Sequence, residues 1–314
     1  MKAAVFHEYG GTDKLSIIEV EQPEVREDEV LIKAHAASVN PLDWKILSGQ
    51  LRFMSGLMRP RISILGFDVS GEVVTVGKNV SGLQVGDAVY SRVTNRGGTF
   101  AEYITVPAGI VAKAPKSISM IEAAAVPLAS LTALQALRDK AGISKERKVL
   151  INGASGGVGT FAVQLAKAYG SNVTAVCSSR NAEMVSSLGA DEVLDYEKND
   201  FTANVESYSI IFDAVANRSY SECKPALSSK GVYVTTVPSP GDILSILLTS
   251  FTGGKKARVI MVRSSKEDLD WITSMIDSGK VKPVIDKEFP FSEIADALTY
   301  SKGGRARGKI VILF

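Results

Sequence analysis

The sequence predicts an α/β protein in which a β-rich amino-terminal part is followed by a doubly wound parallel sheet. Before Ile121, short apolar segments are separated by Gly, Asp, Asn and Pro, a pattern typical of strands joined by turns. The spacing of these segments resembles that of the strands in a β-barrel. From Ile121 onward, helical and strand-like segments alternate, which indicates parallel strands connected by helical crossovers. These two patterns define the predicted fold class.

The candidate elements follow in order along the chain. The β-rich part holds candidate strands at residues 30–39, 68–77, 86–93 and 98–106. A helical segment at 121–139 then precedes six candidate strands, at 148–152, 172–178, 192–196, 209–215, 231–237 and 258–262. After a helix at 266–279, the segments 281–289 and 308–314 are strand-like again. We therefore expect residues 1–121 to form a β domain, 122–264 a parallel-sheet domain, and 265–314 to return to the first.

The composition argues against several classes of protein. The 314 residues carry 36 Lys and Arg against 34 Asp and Glu, and a net charge of +2 argues against a nucleic-acid partner. With 45% hydrophobic and 22% charged residues, the chain is typical of globular domains. The two cysteines allow one disulfide at most, which favours a reducing, cytoplasmic location. The longest charge-free apolar stretch, 123–137, is shorter than the ~18 residues of a membrane span, so we expect no integral membrane segment.

A glycine-rich turn joins the first strand of the predicted parallel sheet to a helix. Residues 152–159 read Asn-Gly-Ala-Ser-Gly-Gly-Val-Gly, which departs from G-x-G-x-x-G by Ala154 at the first position. Small residues let the backbone approach a pyrophosphate, whose charge is met by N–H groups at the helix N-terminus. A plain tight turn would use the same residues. The strand, turn, helix and second strand at the right spacing favour a dinucleotide-binding Rossmann sheet.

The end of the second strand predicts which dinucleotide is bound. An NAD site usually has Asp or Glu there, ~20 residues past the glycines, to accept a hydrogen bond from the ribose 2′-hydroxyl. This chain has Ser178, Ser179 and Arg180 instead, and Glu183 lies a turn into the next helix. Because hydroxyls and a guanidinium suit a 2′-phosphate, the sequence favours NADPH. The alternative is a serine-rich helix start with a surface arginine.

Segments along nearly the whole chain resemble the medium-chain dehydrogenase/reductase superfamily, and within it the zinc-independent quinone oxidoreductase and alkenal/enone reductase branch. They are residues 9–23, 38–45, 66–77, 85–90, 97–107, 123–137, 152–159, 188–196 and 305–312. The resemblance implies a co-chaperonin-like β-barrel catalytic domain, an inserted Rossmann domain, a cofactor in the cleft between them and usually a homodimer. It also implies reduction of a small-molecule quinone or enone.

The resemblance further implies roles for individual residues. The cofactor-binding residues that it implies are Ser155, Gly156, Gly157 and Val158 for the pyrophosphate, Ser178, Ser179 and Arg180 for the 2′-phosphate, Tyr196 for the adenosine end, Lys45 for the cofactor and substrate, and Thr132, Val215 and Val237 for the nicotinamide. A surface tyrosine and two ordinary core valines are the alternatives for Tyr196, Val215 and Val237. Asn40 and Lys45 match a segment that reaches cofactor and substrate in the family, so they are the candidate catalytic residues.

The ligands of a zinc alcohol dehydrogenase are missing from the corresponding segments. Such enzymes need a thiolate, an imidazole and further ligands. Residues 38–43 read Ser-Val-Asn-Pro-Leu-Asp, and Gly66-Phe67-Asp68 stands where the superfamily leads us to expect a histidine and a glutamate. Asp43 is the weaker catalytic candidate, because Asn-Pro-x-Asp is also a turn whose carboxylate caps the following helix. We expect no metal, and direct hydride transfer to an acceptor whose own conjugated oxygen takes up the charge.

Some alternatives stay open from the sequence. Two apolar stretches, 49–58 and 243–251, are candidate covers of an acceptor pocket, and the second is equally compatible with a subunit interface or packing on the sheet. The basic residues at 255–258 fit a solvated turn better than an anionic membrane surface. The other functions are a non-catalytic, crystallin-like NADPH-binding protein, and an alcohol or carrier-linked enoyl dehydrogenase, which the missing metal and carrier domain disfavour.

Overall fold

The computed structural model describes residues 1–61, 63–94 and 97–314, except for the side chain of Met54. The chain divides into two compact units. The first comprises Met1–Leu128, Ser264–Gly279 and Pro283–Phe314, and the second comprises Ala129–Arg263 and Lys280–Lys282. The first boundary therefore follows Leu128 rather than residue 121, and a three-residue segment near the end of the chain lies with the second unit.

The strands and helices are numbered in chain order. The strands are β1 (Lys2–Val5), β2 (Ser16–Glu19), β3 (Glu29–Val39), β4 (Asp68–Val76), β5 (Ala88–Arg92), β6 (Tyr103–Pro107), β7 (Val111–Lys113), β8 (Lys148–Asn152), β9 (Asn172–Cys177), β10 (Glu192–Asp195), β11 (Tyr208–Asp213), β12 (Leu227–Thr235), β13 (Lys256–Val259), β14 (Ile285–Pro290) and β15 (Lys309–Leu313). The helices are α1 (Pro41–Leu47), α2 (Arg52–Ser55), α3 (Met120–Ala124), α4 (Pro127–Gln135), α5 (Gly157–Ala168), α6 (Ala182–Ser187), α7 (Tyr220–Cys223), α8 (Pro240–Ser250), α9 (Lys266–Asp277) and α10 (Ile294–Lys302).

The first unit is built around β3, a long strand rich in buried aliphatic side chains. The sheet runs in the order β14, β15, β3, β4, β5, β7, with β6 also paired to β3, while β1 and β2 form a separate hairpin. The strand β15 comes from the end of the chain and pairs antiparallel with β3, with Ile310 opposite Val39. Phe6, Phe67 and Phe100 are almost completely buried in the core of this unit. The end of the chain thus completes the sheet that its first part begins.

The second unit contains the predicted parallel sheet. Its order is β10, β9, β8, β11, β12, β13, and all neighbouring strands are parallel. The order reverses at β8, which places the switch point of a doubly wound sheet at the carboxyl ends of β8 and β11. Ligands of such sheets bind outside this edge. The predicted fold class is therefore confirmed.

The predicted helix at 121–139 is interrupted in the structure. The helix α3 ends at Ala124, and α4 begins at Pro127. Proline has no N–H to donate and clashes with the preceding helical turn, but it is well tolerated at the first position of a helix. A short π-helical segment, Ala136–Lys140, follows α4. Pro127 therefore accounts for the break, which periodicity alone did not show.

The remaining expectations about the chain concern its cysteines and its relation to a membrane. Cys177 and Cys223 are both buried and unpaired. Burial raises the pKa of the Cys177 thiol to about 11, which makes it a poor nucleophile at neutral pH. Among the described residues, no helix has the length and apolar character needed to span a bilayer. The cytoplasmic location stays a prediction.

A buried tyrosine in β5 allows a test of how α9 is held in the first unit. The Tyr90 hydroxyl donates to Leu269 O at 2.8 Å and lies 2.9 Å from Thr273 Oγ1. We expect Tyr90→Phe to lower the free energy of unfolding by about 1–2 kcal/mol, because the buried hydrogen bonds of the Tyr90 hydroxyl to Leu269 O and Thr273 are lost. Urea denaturation measures this change. Tyr103→Phe is the matched control, since the hydroxyl of this half-buried tyrosine has no hydrogen bond within the described residues. An equal loss of unfolding free energy in both variants would contradict the role of the Tyr90 hydroxyl in holding α9.

Candidate functional site

The glycine turn after β8 is held against the neighbouring strand by backbone hydrogen bonds. The N–H groups of Gly153 and Ala154 both donate to Val176 O, at 3.1 and 3.0 Å. Gly153 has φ +80°, a left-handed conformation that favours glycine. The side chain of Ala154 is fully buried, so an apolar methyl group fits where the usual motif has its first glycine. The turn keeps the shape of the motif despite this replacement.

The other two glycines of the motif have different steric roles. A Cβ atom on Gly159 would lie 2.1 Å from Gly153 O and 2.7 Å from Ala154 Cα, so the helix α5 can pack on the turn only without a side chain there. A Cβ atom on Gly156 would meet a single atom, Gly153 O, at 3.4 Å. The space above Gly156 is therefore open. This is the cradle that a pyrophosphate needs at the beginning of a helix, so the residues present fit a dinucleotide.

The end of β9 presents the predicted phosphate-binding residues. Ser178 is buried, whereas Ser179 and Arg180 are exposed. The Arg180 guanidinium has no hydrogen-bond or ion-pair partner within the described part of the chain. An unpaired guanidinium beside two hydroxyls is a suitable environment for a phosphate monoester.

One further residue of this segment, which the sequence did not single out, joins it to the glycine turn. Asn181 Nδ2 donates to Ser155 Oγ at 3.0 Å. The predicted pyrophosphate and 2′-phosphate residues are thus parts of one site. No local pattern identifies Asn181, because the two partners are separated by 26 positions in the sequence.

The carboxyl ends of the neighbouring strands add apolar and aromatic side chains to the same edge. Tyr196 follows β10, and its N–H donates to Cys177 O at 3.3 Å, which places it next to the Ser178 segment. Val215 and Val237 are each 55% exposed, so the alternative of ordinary core valines is wrong. A Cβ atom on Gly153 would touch Val215 Cγ2 at 2.1 Å, which shows that Val215 covers the glycine turn.

A buried carboxylate supports the backbone that carries Val215. Asp213 accepts hydrogen bonds from Asn152 Nδ2 at 2.9 Å and from the N–H groups of Ala216 and Arg218 at 2.9 and 3.0 Å. Burial raises the pKa of this carboxyl, and the hydrogen bonds oppose that rise. Ala216 has φ +59°, a conformation that costs energy for alanine and that these bonds help to hold. Asp213 therefore fixes the loop after β11.

The first unit contains a different arrangement, a buried network around a lysine and an aspartate. Lys309 Nζ donates to Asn40 Oδ1 at 2.6 Å and lies 3.5 Å from Asp68 Oδ2. Asp68 Oδ2 also accepts from Ser38 Oγ at 2.7 Å and Asn40 Nδ2 at 3.0 Å, while its Oδ1 accepts from Leu128 N at 2.7 Å. Burial lowers the pKa of Lys309, and the nearby carboxylates oppose that change. The charges satisfy one another inside the core.

Asp43 has the structural role that the sequence offered as the alternative to catalysis. Its carboxylate accepts from the N–H of Asn40, the residue before α1, at 2.7 Å and from Gly66 N at 2.9 Å. Complete burial raises the pKa of Asp43 to about 7, with these two hydrogen bonds opposing the rise. Asp43 thus fixes the start of α1 against the segment that precedes β4.

The two candidate catalytic residues differ in what they offer to a ligand. Asn40 is buried, and its amide nitrogen already donates to Ser38 O and Asp68. The network therefore uses the side-chain N–H groups of Asn40, and its catalytic role stays a prediction. Lys45 is half-buried, and its Nζ lies 5.5 Å from the centroid of the Trp44 ring and has no hydrogen-bond partner in the described ranges. Lys45 is the available donor of this pair.

The structure brings together most of the sequence-predicted site residues of the second unit. The predicted residues at its carboxyl edge are Ser155, Gly156, Gly157, Val158, Ser178, Ser179, Arg180, Tyr196, Val215 and Val237. Thr132 lies on α4 and is almost fully buried. Its contact with nicotinamide stays a prediction.

The two apolar stretches that were candidate covers are both exposed. The first contains α2, with Phe53, Leu57 and Met58 largely exposed, and the side chain of its Met54 lies outside the described residues. The second forms α8, in which Ile243, Leu244, Leu247 and Leu248 share an exposed apolar face. Lys256 donates to Thr249 O near the carboxyl end of α8, which favours a capping role over contact with a membrane. The first stretch stays a candidate cover, and the choice between cover and interface stays open for the second.

The described residues form no candidate metal site. Within residues 1–61, 63–94 and 97–314, no three His, Cys, Asp or Glu side chains form a group that could hold a metal ion. The Asp68 oxygens, at the position where the zinc enzymes lead us to expect a ligand, are occupied by four protein donors.

Comparisons with known proteins agree with both units. A family model described as an alcohol dehydrogenase GroES-like domain matches residues 26–116, and one described as a zinc-binding dehydrogenase matches 188–312. The chloroplast envelope quinone oxidoreductase homolog of Arabidopsis thaliana is 38% identical, over 99% of this chain and 98% of that protein. The chloroplastic NADPH-dependent alkenal/one oxidoreductase of the same species is 36% identical, over 99% and 79%. The structure of a quinone oxidoreductase from Coxiella burnetii superposes with a TM-score of 0.90 at 29% identity, over 100% and 99%.

The glycine turn supports a paired prediction. We expect Gly159→Ala to lower the stability by about 1–3 kcal/mol, because its Cβ would overlap the backbone of the turn. Gly156→Ala should leave the melting temperature nearly unchanged, since Gly156 has φ −83° and open space, but should weaken dinucleotide binding. Thermal unfolding and titration of nicotinamide fluorescence measure the two effects. Unchanged binding in Gly156→Ala would show that the dinucleotide does not approach this turn.

Proposed function

Because this chain belongs to the medium-chain dehydrogenase/reductase superfamily, in the quinone oxidoreductase and alkenal/enone reductase branch, we propose that it reduces quinones or the C=C bond of α,β-unsaturated carbonyls with NADPH. The observation that carries the proposal is the continuous site at the edge of the parallel sheet. An open glycine cradle and an unpaired Arg180 occur there, in a segment without the acidic residue of an NAD site.

The second unit binds and orients the cofactor in this proposal. The turn at 153–159, which includes Ser155, holds the pyrophosphate. Ser178, Ser179 and Arg180 hold the 2′-phosphate. Tyr196 lies beside the adenosine, and Val215 and Val237 give the nicotinamide an apolar surface that excludes water, with Thr132 as a further neighbour. When bound, NADPH supplies a hydride that is transferred directly to the acceptor, the β-carbon in an enone.

The first unit supplies the polar groups for the acceptor. Lys45 is a donor that can orient the cofactor or the substrate oxygen, because its ammonium group makes no hydrogen bond within the described residues. Asn40 is a positioning residue, which holds the start of α1 through Lys309 and Asp68. Residues 38–45 contain neither His nor Cys. We therefore propose that the enolate formed by hydride transfer takes its proton from solvent or from a bound water.

We also propose that the reaction needs no zinc. Each Asp68 oxygen already accepts at least one hydrogen bond from the protein, and residues 38–43 contain no thiol or imidazole. A homodimer is a further part of the proposal. The exposed apolar face of α8 is compatible with burial by a second copy.

The preference for NADPH is tested at Arg180. We expect Arg180→Asp to weaken NADPH binding about 10–100-fold, because a charge-assisted contact is replaced by repulsion, and to leave NADH binding much less affected. Fluorescence titration gives both dissociation constants. Arg147→Asp is the control, since Arg147 is an exposed arginine immediately before β8, at the opposite edge of the sheet. Equal affinity of the unaltered protein for NADPH and NADH would contradict the proposal.

Metal independence is tested by removing metal ions from the active protein. After extended dialysis against a chelator, the rate of NADPH oxidation with an enone or quinone should be unchanged. Elemental analysis of the same sample gives the metal content. Stoichiometric zinc, with activity lost on its removal and restored on its return, would overturn this part of the proposal.

The direct transfer of hydride is tested with NADPH deuterated at C4. An enone screened for turnover is reduced in ordinary water, and NMR locates the label in the product. We expect deuterium at the β-carbon and hydrogen from water at the α-carbon. A label at the α-carbon, or one lost to water, would contradict direct transfer. Binding of NADPH without turnover of enals, enones or quinones would favour a non-catalytic role.

A further inference from the structure

The side chain of Asn181 has an unusual feature, a buried acceptor without a donor. The residue is only 5% exposed, and its Oδ1 atom has no hydrogen-bond partner among the described residues. Leaving a buried amide oxygen unpaired costs free energy, and such groups are rare in folded proteins. The unpaired atom therefore calls for a donor that the chain itself does not supply.

The usual structural role of asparagine at this position does not account for it. Asn181 immediately precedes α6, but its backbone is helical (φ −107°, ψ 0°) and not extended as in a capping residue, and its side chain makes no capping bond. The serines that precede α7 and α8, Ser219 and Ser239, do make this capping bond in the same unit. The helix that follows Asn181 thus does not supply the missing donor.

Two contacts, one of the backbone and one of the side chain, hold Asn181 at the candidate cofactor site. The backbone N–H of Asn181 donates to Ser178 O at 2.9 Å, and its Nδ2 donates to Ser155 Oγ at 3.0 Å. Because Ser155 accepts this bond, its own hydroxyl proton is available for another acceptor. Asn181 therefore lies between the segment that follows β9 and the glycine turn.

The chemistry of the cofactor supplies the missing donor. In NADPH the 2′-oxygen of the adenosine ribose carries a phosphate, so the 3′-hydroxyl is the remaining hydroxyl donor of that ribose. A carboxylate next to it would repel the phosphate dianion, whereas an amide oxygen accepts a hydrogen bond without a net charge. An asparagine is thus compatible with NADPH where an acidic residue would be compatible with NADH.

We propose that Asn181 is a specificity-determining residue of the cofactor site. Its Oδ1 accepts a hydrogen bond from the 3′-hydroxyl of the adenosine ribose, and its Nδ2 orients the Ser155 hydroxyl toward the pyrophosphate. This inference rests on the proposed function, because it assumes that NADPH binds at this edge of the sheet.

The direct test removes the proposed donor from the ligand. Isothermal titration compares adenosine 2′,5′-bisphosphate with its 3′-deoxy analogue. The unaltered protein should bind the analogue about tenfold more weakly, as for one lost hydrogen bond, and Asn181→Ala should bind the two ligands equally. Equal binding of both ligands by the unaltered protein, or an undiminished difference in Asn181→Ala, would overturn the inference.

A second variant tests the argument from charge. Asn181→Asp is nearly isosteric, so it should fold, but it places a carboxylate beside the 2′-phosphate. The ratio of NADPH to NADH affinity should fall by tenfold or more, measured by fluorescence titration. An unchanged ratio would contradict the assigned position.

The controls separate this inference from the proposed function. Asn172→Ala changes an exposed asparagine at the other end of β9 and should leave all affinities unchanged. Thermal unfolding of each variant tests whether it is folded. If the unaltered protein binds neither NADPH nor adenosine 2′,5′-bisphosphate, both the proposed function and this inference fail. If it binds both ligands but Asn181 has no influence, the inference alone fails.

Discussion

The buried pair of Lys309 and Asp68 is the constraint on which the first unit depends. Both side chains are almost completely removed from solvent, so each charge needs the other and further hydrogen bonds. Asn40 bridges them with both ends of its amide. Removal of one partner from such a pair costs about 3–5 kcal/mol, because the other charge stays buried and unpaired.

This network joins segments that are far apart in the sequence. Lys309 begins β15, Asp68 begins β4, and Asn40 precedes α1, while the same aspartate accepts from Leu128 N in α4. The start of α1 is thereby fixed from two sides, since Asp43 also holds it through Gly66 N. Lys45, one turn further along α1, gains a defined place although its ammonium group makes no hydrogen bond to the described residues.

The second unit achieves the same precision with backbone geometry. At the glycine turn the absence of side chains lets α5 pack on the strand ends, and two N–H bonds to Val176 O hold the turn in place. The neighbouring parallel strands all end at this edge, so residues that follow different strands become neighbours. Charge enters this site mainly through Arg180, which is exposed and has no partner in the described segments.

The sequence by itself determined the features that depend on local pattern. Alternating strands and helices, the spacing of the glycines and the Ser-Ser-Arg segment are properties of short stretches, and each predicts its structure without knowledge of the rest. For this reason the parallel sheet and the composition of its carboxyl edge were predictable, and so was the alternative role of Asp43 as a residue that holds the start of α1.

Only the tertiary structure decided which polar side chains are used and which are left available. Asn40 and Lys45 are equally plausible ligand contacts in the sequence. In the structure Lys309, 269 positions from Asn40, donates a hydrogen bond to Asn40, whereas the Lys45 ammonium group stays available. The contact between Asn181 and Ser155 has the same origin, because these residues follow the adjacent strands β9 and β8. Burial and hydrogen-bond satisfaction are properties of the whole folded unit, so a pattern in a short segment does not encode them.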